Sequence, residues 1–119
     1  MSDELATLNV EERGEIVVAR VEGELDVSVA TGLGDEIAAA MPTSARALVV
    51  DFSRLGFIDS SGIAMLFSLA RRLSSRRQEL NVVAPGGEAV ARVLELVEFG
   101  RAAPVHEDLD SALAELGPG

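Results

Sequence analysis

The spacing of apolar residues changes repeatedly along this chain, and each spacing predicts an element. Leu8 and Val10 alternate with Thr7 and Asn9, so 5–10 reads as a first strand. Arg13-Gly14 is a turn signal, and 15–22 carries the β-branched set Ile16, Val17, Val18 and Val21. Two strands so closely joined form an antiparallel hairpin. Over 28–41 the spacing becomes helical: Ala30, Leu33, Ile37, Ala40 and Met41 share a face, with Asp26 or Ser28 as N-cap and Pro42 as the stop. Ala47-Leu48-Val49-Val50 is a continuous apolar run, as in a strand buried on both faces, and a loop through Ser53 and Gly56 is expected after it.

A second helix should start at Asp59-Ser60 and fade near Ser74-Ser75. At about 100° per residue, Ile63, Leu66, Phe67, Ala70 and Leu73 share its buried side. Ser61, Met65, Ser68, Leu69 and Arg72 share the opposite side, so Met65 and Leu69 are expected to face water. The run 80–84 is another compact strand, broken by Pro85-Gly86-Gly87. A third helix spans 88–99, with Val90, Val93, Leu94 and Val97 as its stripe and Gly100 as its stop. Pro104 confines a strand at 102–106 to an edge. Asp108 caps a last helix that buries Leu109, Ala112, Leu113 and Leu116. The order β-β-α-β-α-β-α-(β)-α is that of an α/β fold: one domain with a mixed β-sheet, antiparallel in its hairpin and parallel afterwards, and four α-helices.

Composition narrows the function classes. The net charge is −10 and every basic side chain is arginine, which argues against a role on nucleic acid. Four Phe, with no Trp or Tyr, leave little for base stacking. Without cysteine there is no disulfide, zinc-thiolate site or thiol nucleophile. Arg71-Arg72 and Arg76-Arg77 form the one basic cluster, read either as cations suited to a helix C-terminus or as a dock for an acidic partner. The acidic start Met1-Ser2-Asp3-Glu4 lacks a basic signal-peptide region, and no apolar run approaches the ~20 residues of a membrane span. A soluble, cytoplasmic protein with no membrane partner is expected.

Catalytic patterns fail one by one. A serine hydrolase needs a base beside its nucleophile. The single histidine, His106, reads as a surface residue near the edge strand, and Ile58 stands where a Gly-x-Ser-x-Gly elbow around Ser60 needs its first glycine. Gly32-x-Gly34 has Ile37 in place of a third glycine and lies inside a helix pattern, so no dinucleotide fingerprint is present. No Walker-type loop occurs, and Asp108 and Asp110 suit a helix start better than a metal. The expectation is a protein that is not an enzyme and uses no cofactor or metal.

That leaves the Asp59 turn. One reading is an acidic cap with two serines, worth about 1 kcal/mol. The other is an acceptor hydroxyl, Ser60, whose added phosphate would meet backbone N–H groups at the positive end of a helix. Met65 and Leu69, if exposed, would add an apolar partner surface alongside.

Gly23-Glu24-Leu25-Asp26, together with Asp51-Phe52-Ser53 and Phe57-Ile58-Asp59-Ser60-Ser61-Gly62, resembles the STAS domain family and within it the bacterial anti-sigma factor antagonists. The similarity spans about 5–116. It implies partner switching. An unphosphorylated antagonist binds an anti-sigma factor that is also a serine kinase, which frees the sigma factor for transcription; the kinase phosphorylates Ser60, and a PP2C-type phosphatase reverses this. Asp26 and Asp59 match family positions at that surface, and Ser61 matches a neighbouring one. Partner contacts are thus expected at Asp26, Asp59, Ser61, Gly62, Met65 and Leu69. The alternative is a non-phosphorylated STAS scaffold in a transport or stress-sensing complex.

Overall fold

β1 (Ala6–Arg13) and β2 (Ile16–Leu25) form the expected hairpin, closed by Gly14-Glu15 between the paired residues Arg13 and Ile16. The computed structural model describes residues 6–118; residue 5, where the sequence starts the first strand, lies outside them. α1 (Ala30–Ala39), β3 (Ala47–Ile58), α2 (Ser60–Ser75), β4 (Glu79–Val83), α3 (Ala89–Leu96), β5 (Val105–His106) and α4 (Leu109–Leu116) follow. The strands form one sheet in chain order, β1-β2-β3-β4-β5, antiparallel only at the first pair. The expected mixed architecture is therefore the observed one.

Alternate residues of the central strands supply two cores. Val17, Ala19, Val21, Leu48, Val50 and Val82 face α1, α2 and α3, whereas Ile16, Val18, Ala47, Val49 and Val83 face α4. Burial on both faces is why 47–50 has no polar position. α4 meets the sheet through Ala112, with Leu109, Leu113 and Leu116 packed around it, as its spacing predicts. The Ser111 N–H donates to the Asp108 carboxylate, caps this helix and holds that carboxyl below its usual range.

The largest departure from expectation is in β3, which does not give way to a loop at Ser53 and Gly56. It runs for twelve residues against ten of β2, and the ladder absorbs the surplus at two bulges. One lies between the pairs Arg20–Asp51 and Glu22–Arg54, the other at Gly56, between Gly23–Leu55 and Glu24–Phe57. At the first, the Ser53 N–H (2.9 Å) and hydroxyl (2.6 Å) both donate to Oδ1 of Asp51. The bulges keep Phe52, Leu55 and Ile58 pointing inward at a spacing of three, which a regular strand cannot do.

Met65 and Leu69 do not face water; they are 7% and 1% exposed. α1 lies over that side of α2. Gly34 makes the approach possible, since a Cβ there would stand 2.6 Å from Cγ of Met65. Arg72 of α2 ion-pairs with Asp35 of α1 at 3.0 Å, and Arg76 reaches the Ala38 carbonyl at 3.4 Å. Much of the basic cluster thus braces one helix against the other.

Smaller corrections concern helix ends. Val29, not Asp26 or Ser28, occupies the N-cap of α1, and Ala40 is only half-buried. α3 stops at Leu96, well before Gly100, because Glu98 turns the chain at φ +56° into a short 3-10 turn, Phe99–Arg101. Val97 is consequently exposed and Phe99 fills the core in its place, edge-on to Phe67 with ring centroids 5.0 Å apart. β5 is shorter than expected and lies at the sheet edge.

Leu69→Ala is expected to cost about 2–5 kcal/mol in urea unfolding, as for a large side chain deleted from a packed core. A loss below about 0.5 kcal/mol, typical of surface positions, would contradict the α1–α2 packing.

Candidate functional site

The C-terminal ends of β2 and β3 meet at one hydrogen bond. The Asp59 N–H donates to the Leu25 carbonyl at 3.1 Å, so the chain leaving β2 at Asp26 runs beside the chain entering α2 at Ser60. This juxtaposition brings Asp26, Asp59 and Ser60, far apart in sequence, to one end of the sheet. Both turns there are built on an aspartate. Oδ1 of Asp26 accepts from the Ser28 N–H at 2.9 Å and its hydroxyl at 2.7 Å, while the Asp26 carbonyl accepts from Val29 and Ala30. Oδ1 of Asp59 accepts from the N–H groups of Ser61 (2.9 Å) and Gly62 (3.1 Å), and the Asp59 carbonyl takes that of Ile63.

Asp59 is therefore the N-cap of α2, as the sequence suggests. The same bonds narrow another expectation. The N–H groups of Ser61, Gly62 and Ile63 are already engaged by Asp59, whereas that of Ser60 itself makes no hydrogen bond to another described residue, so fewer helix-end donors face Ser60 than its place at a helix start suggests. Ser60 itself is exposed, and its hydroxyl makes no hydrogen bond to another described residue. The hydroxyls of Ser28 and Ser53, by contrast, are held by carboxylates.

Ser61 is half-buried and lines a groove of about 290 Å³ between α1 and α2, floored in part by Met65 and Leu69. Gly62 is buried, because a Cβ there would fall 2.5 Å from Cγ1 of Ile58 and 3.3 Å from Cβ of Leu25. Its place in the motif follows from the close approach of helix to strand ends. Thus Asp26, Asp59, Ser60 and Ser61 share the surface, whereas Gly62, Met65 and Leu69 lie beneath it.

Two apolar residues absent from the sequence expectation do reach solvent here: Val27, 75% exposed, and Phe57, 46% exposed. Phe57 is turned outward by the Gly56 bulge, opposite to the buried Ile58. Had β3 been read as continuous, the inward Phe52-x-x-Leu55-x-x-Ile58 spacing would have left Phe57 outside.

His106 takes no part in this site. It is half-buried, with Nε2 2.9 Å from Oδ1 of Asn81. Among the described residues no group of His, Cys, Asp and Glu could hold a metal ion, and no helix is long and apolar enough to cross a membrane.

A family model described as "Mlab, STAS domain" matches residues 8–115. An anti-sigma factor antagonist from Mycobacterium paratuberculosis superposes with a TM-score of 0.82 at 31% identity, covering 92% of each chain. The Bacillus cell fate determinant SpoIIAA in its phosphorylated form gives a TM-score of 0.68 at 22% identity, covering 93% of this chain and 100% of that one. A sulfate transporter family protein from Wolinella succinogenes gives 0.74 at 17% identity, covering 85% and 84%. At the two lower identities the likeness is one of fold.

Asp59→Ala should cost about 1 kcal/mol through loss of the cap, and Gly62→Ala about 1–3 kcal/mol through the clash with Ile58. Ser60→Ala should stay within about 0.5 kcal/mol of wild type in the same urea titration. A loss at Ser60 as large as at Asp59 would make the hydroxyl part of the cap.

Proposed function

The chain belongs to the STAS domain family, and from that premise we propose that it is an anti-sigma factor antagonist whose docking to an anti-sigma factor serine kinase is controlled at Ser60. The observation that carries the reading is the state of that hydroxyl: exposed, unpaired with any described residue, and raised at the meeting of β2, β3 and α2. A kinase must bring its transferred phosphoryl group to an acceptor oxygen, and Ser60 is the serine at this end best placed for it. Ser61 is half-buried, and the Ser28 hydroxyl is engaged by Asp26. The 31% identity to an anti-sigma factor antagonist supports the role. A phosphorylated form of SpoIIAA with the same fold is consistent with phosphorylation as the control.

Phosphorylation adds about −1.5 to −2 charge. Asp59 already holds the N–H groups of Ser61 and Gly62, so a phosphate on Ser60 would add charge at the exposed surface with Asp59 and Asp26 nearby. In a complex that charge would be desolvated among like charges. An uncompensated buried charge costs several kcal/mol, and each 1.4 kcal/mol is tenfold in affinity. The unmodified protein then holds the kinase and frees the sigma factor, and the phosphorylated one lets go. A PP2C-type phosphatase resets it, and a cytoplasmic setting follows from these partners. The domain has no need to unfold for the switch to work.

The second reading, a scaffold subunit indifferent to phosphorylation, draws on the fold shared with a sulfate transporter family protein. It requires stable co-purification with a multisubunit complex, unchanged by Ser60→Ala.

Incubation with the cognate kinase and ATP should place one phosphate on the protein and none on Ser60→Ala, read by mass spectrometry. Ser60→Asp should bind that kinase at least tenfold more weakly than wild type, with its melting temperature nearly unchanged. Equal binding by Ser60→Asp would contradict the mechanism.

A further inference from the structure

We propose that Val27 and Phe57 are the apolar anchors by which the kinase grips this protein, and that Asp26 is a positioning residue that sets Val27 outward rather than a charge read by the partner. The proposal rests on the antagonist reading above. Its basis is the location of exposed apolar surface. Sequence periodicity assigns the apolar contacts to Met65 and Leu69, but both are buried. Among the described residues, the large apolar side chains left open at the serine end are Val27 (75%) and Phe57 (46%).

One interface of ordinary size at Ser60 has room for both. A standard interface buries about 800 Å² on each partner, a disc of about 16 Å radius. Consecutive Cα atoms are about 3.8 Å apart, so Phe57, three residues before Ser60, lies within about 11 Å of it. Val27 is two residues beyond Leu25, whose carbonyl is bonded to Asp59, and so lies at the same end of the sheet. The core of such a patch is enriched in aromatic residues and poor in charge, which suits Phe57 and Val27 against an apolar pocket of the kinase.

Asp26 acts through the turn it builds. Its Oδ1 holds both the N–H and the hydroxyl of Ser28, and its carbonyl holds the next two N–H groups, which closes the chain around Val27. An asparagine would accept the same two bonds without the charge. An alanine would not.

The test uses the purified serine kinase identified by its ATP-dependent phosphorylation of the wild-type protein on Ser60, with binding measured by calorimetry. Val27→Ser and Phe57→Ala should each weaken binding at least tenfold, while circular dichroism and melting temperature show the fold retained. Asp26→Asn should bind within about twofold of wild type, and Asp26→Ala at least fivefold more weakly. If Val27→Ser and Phe57→Ala both bind as wild type, the anchors are elsewhere. If Asp26→Asn fails as badly as Asp26→Ala, the partner reads the charge and the positioning role is wrong. If no kinase modifies Ser60, the antagonist reading itself falls and takes the anchors with it.

Discussion

The hydrogen bond from the Asp59 N–H to the Leu25 carbonyl, 3.1 Å long, is the constraint on which this end of the molecule depends. It is the last rung between β2 and β3, and it forms only because β3 carries two more residues than β2 over their shared length. Without the bulges at Ser53 and Gly56 the strand would overshoot its neighbour. Its inward side chains would then alternate out of step with the helices, since a shift of one residue turns every side chain over. Bulges of this kind are built features that re-aim side chains next to functional sites. Here they deliver Asp59 to the start of α2 and turn Phe57 outward.

Most of the architecture was legible from apolar spacing. The β-branched hairpin, the wholly apolar run at Ala47–Val50 and the Asp59 and Asp108 caps each follow from a local rule, and the structure realises them. What the spacing could not show is which side of an element another element covers. The helical wheel of α2 separates Leu66 from Leu69 correctly, but α2 is covered on two sides, by the sheet and by α1. Leu69 and Met65 are therefore buried by a neighbour that no single-helix pattern reveals. The stretch from Ser53 to Ile58 misled for a different reason. A three-residue inward spacing matches neither a strand nor a helix, so it reads as a loop until the partner strand accounts for it. At α3 the stop came from a non-glycine residue, Glu98, in a left-handed conformation that glycine would have signalled.

The candidate site divides its labour among its residues. Asp59 and Gly62 hold the end of α2 in place, one through hydrogen bonds and the other by letting helix and strand ends meet. Asp26 shapes the opposing turn. The Ser60 hydroxyl contributes no hydrogen bond to that frame. On the proposed reading, a negative charge added there would alter what the surface presents and leave the structural bonds beneath intact. The separation matters energetically, because a domain of this size has only about 5–15 kcal/mol of stability to lose. A switch built on a structural cap would trade binding against folding.

The most direct measurement compares protein stoichiometrically phosphorylated on Ser60 with the unmodified form, for affinity to its kinase and for thermal stability in the same buffer. Affinity should fall at least a hundredfold while the melting temperature moves by no more than about 2 °C, a shift that corresponds to less than about 1 kcal/mol for a domain of this length. Undiminished affinity, or a melting temperature that drops in step with it, would contradict a switch confined to the docking surface.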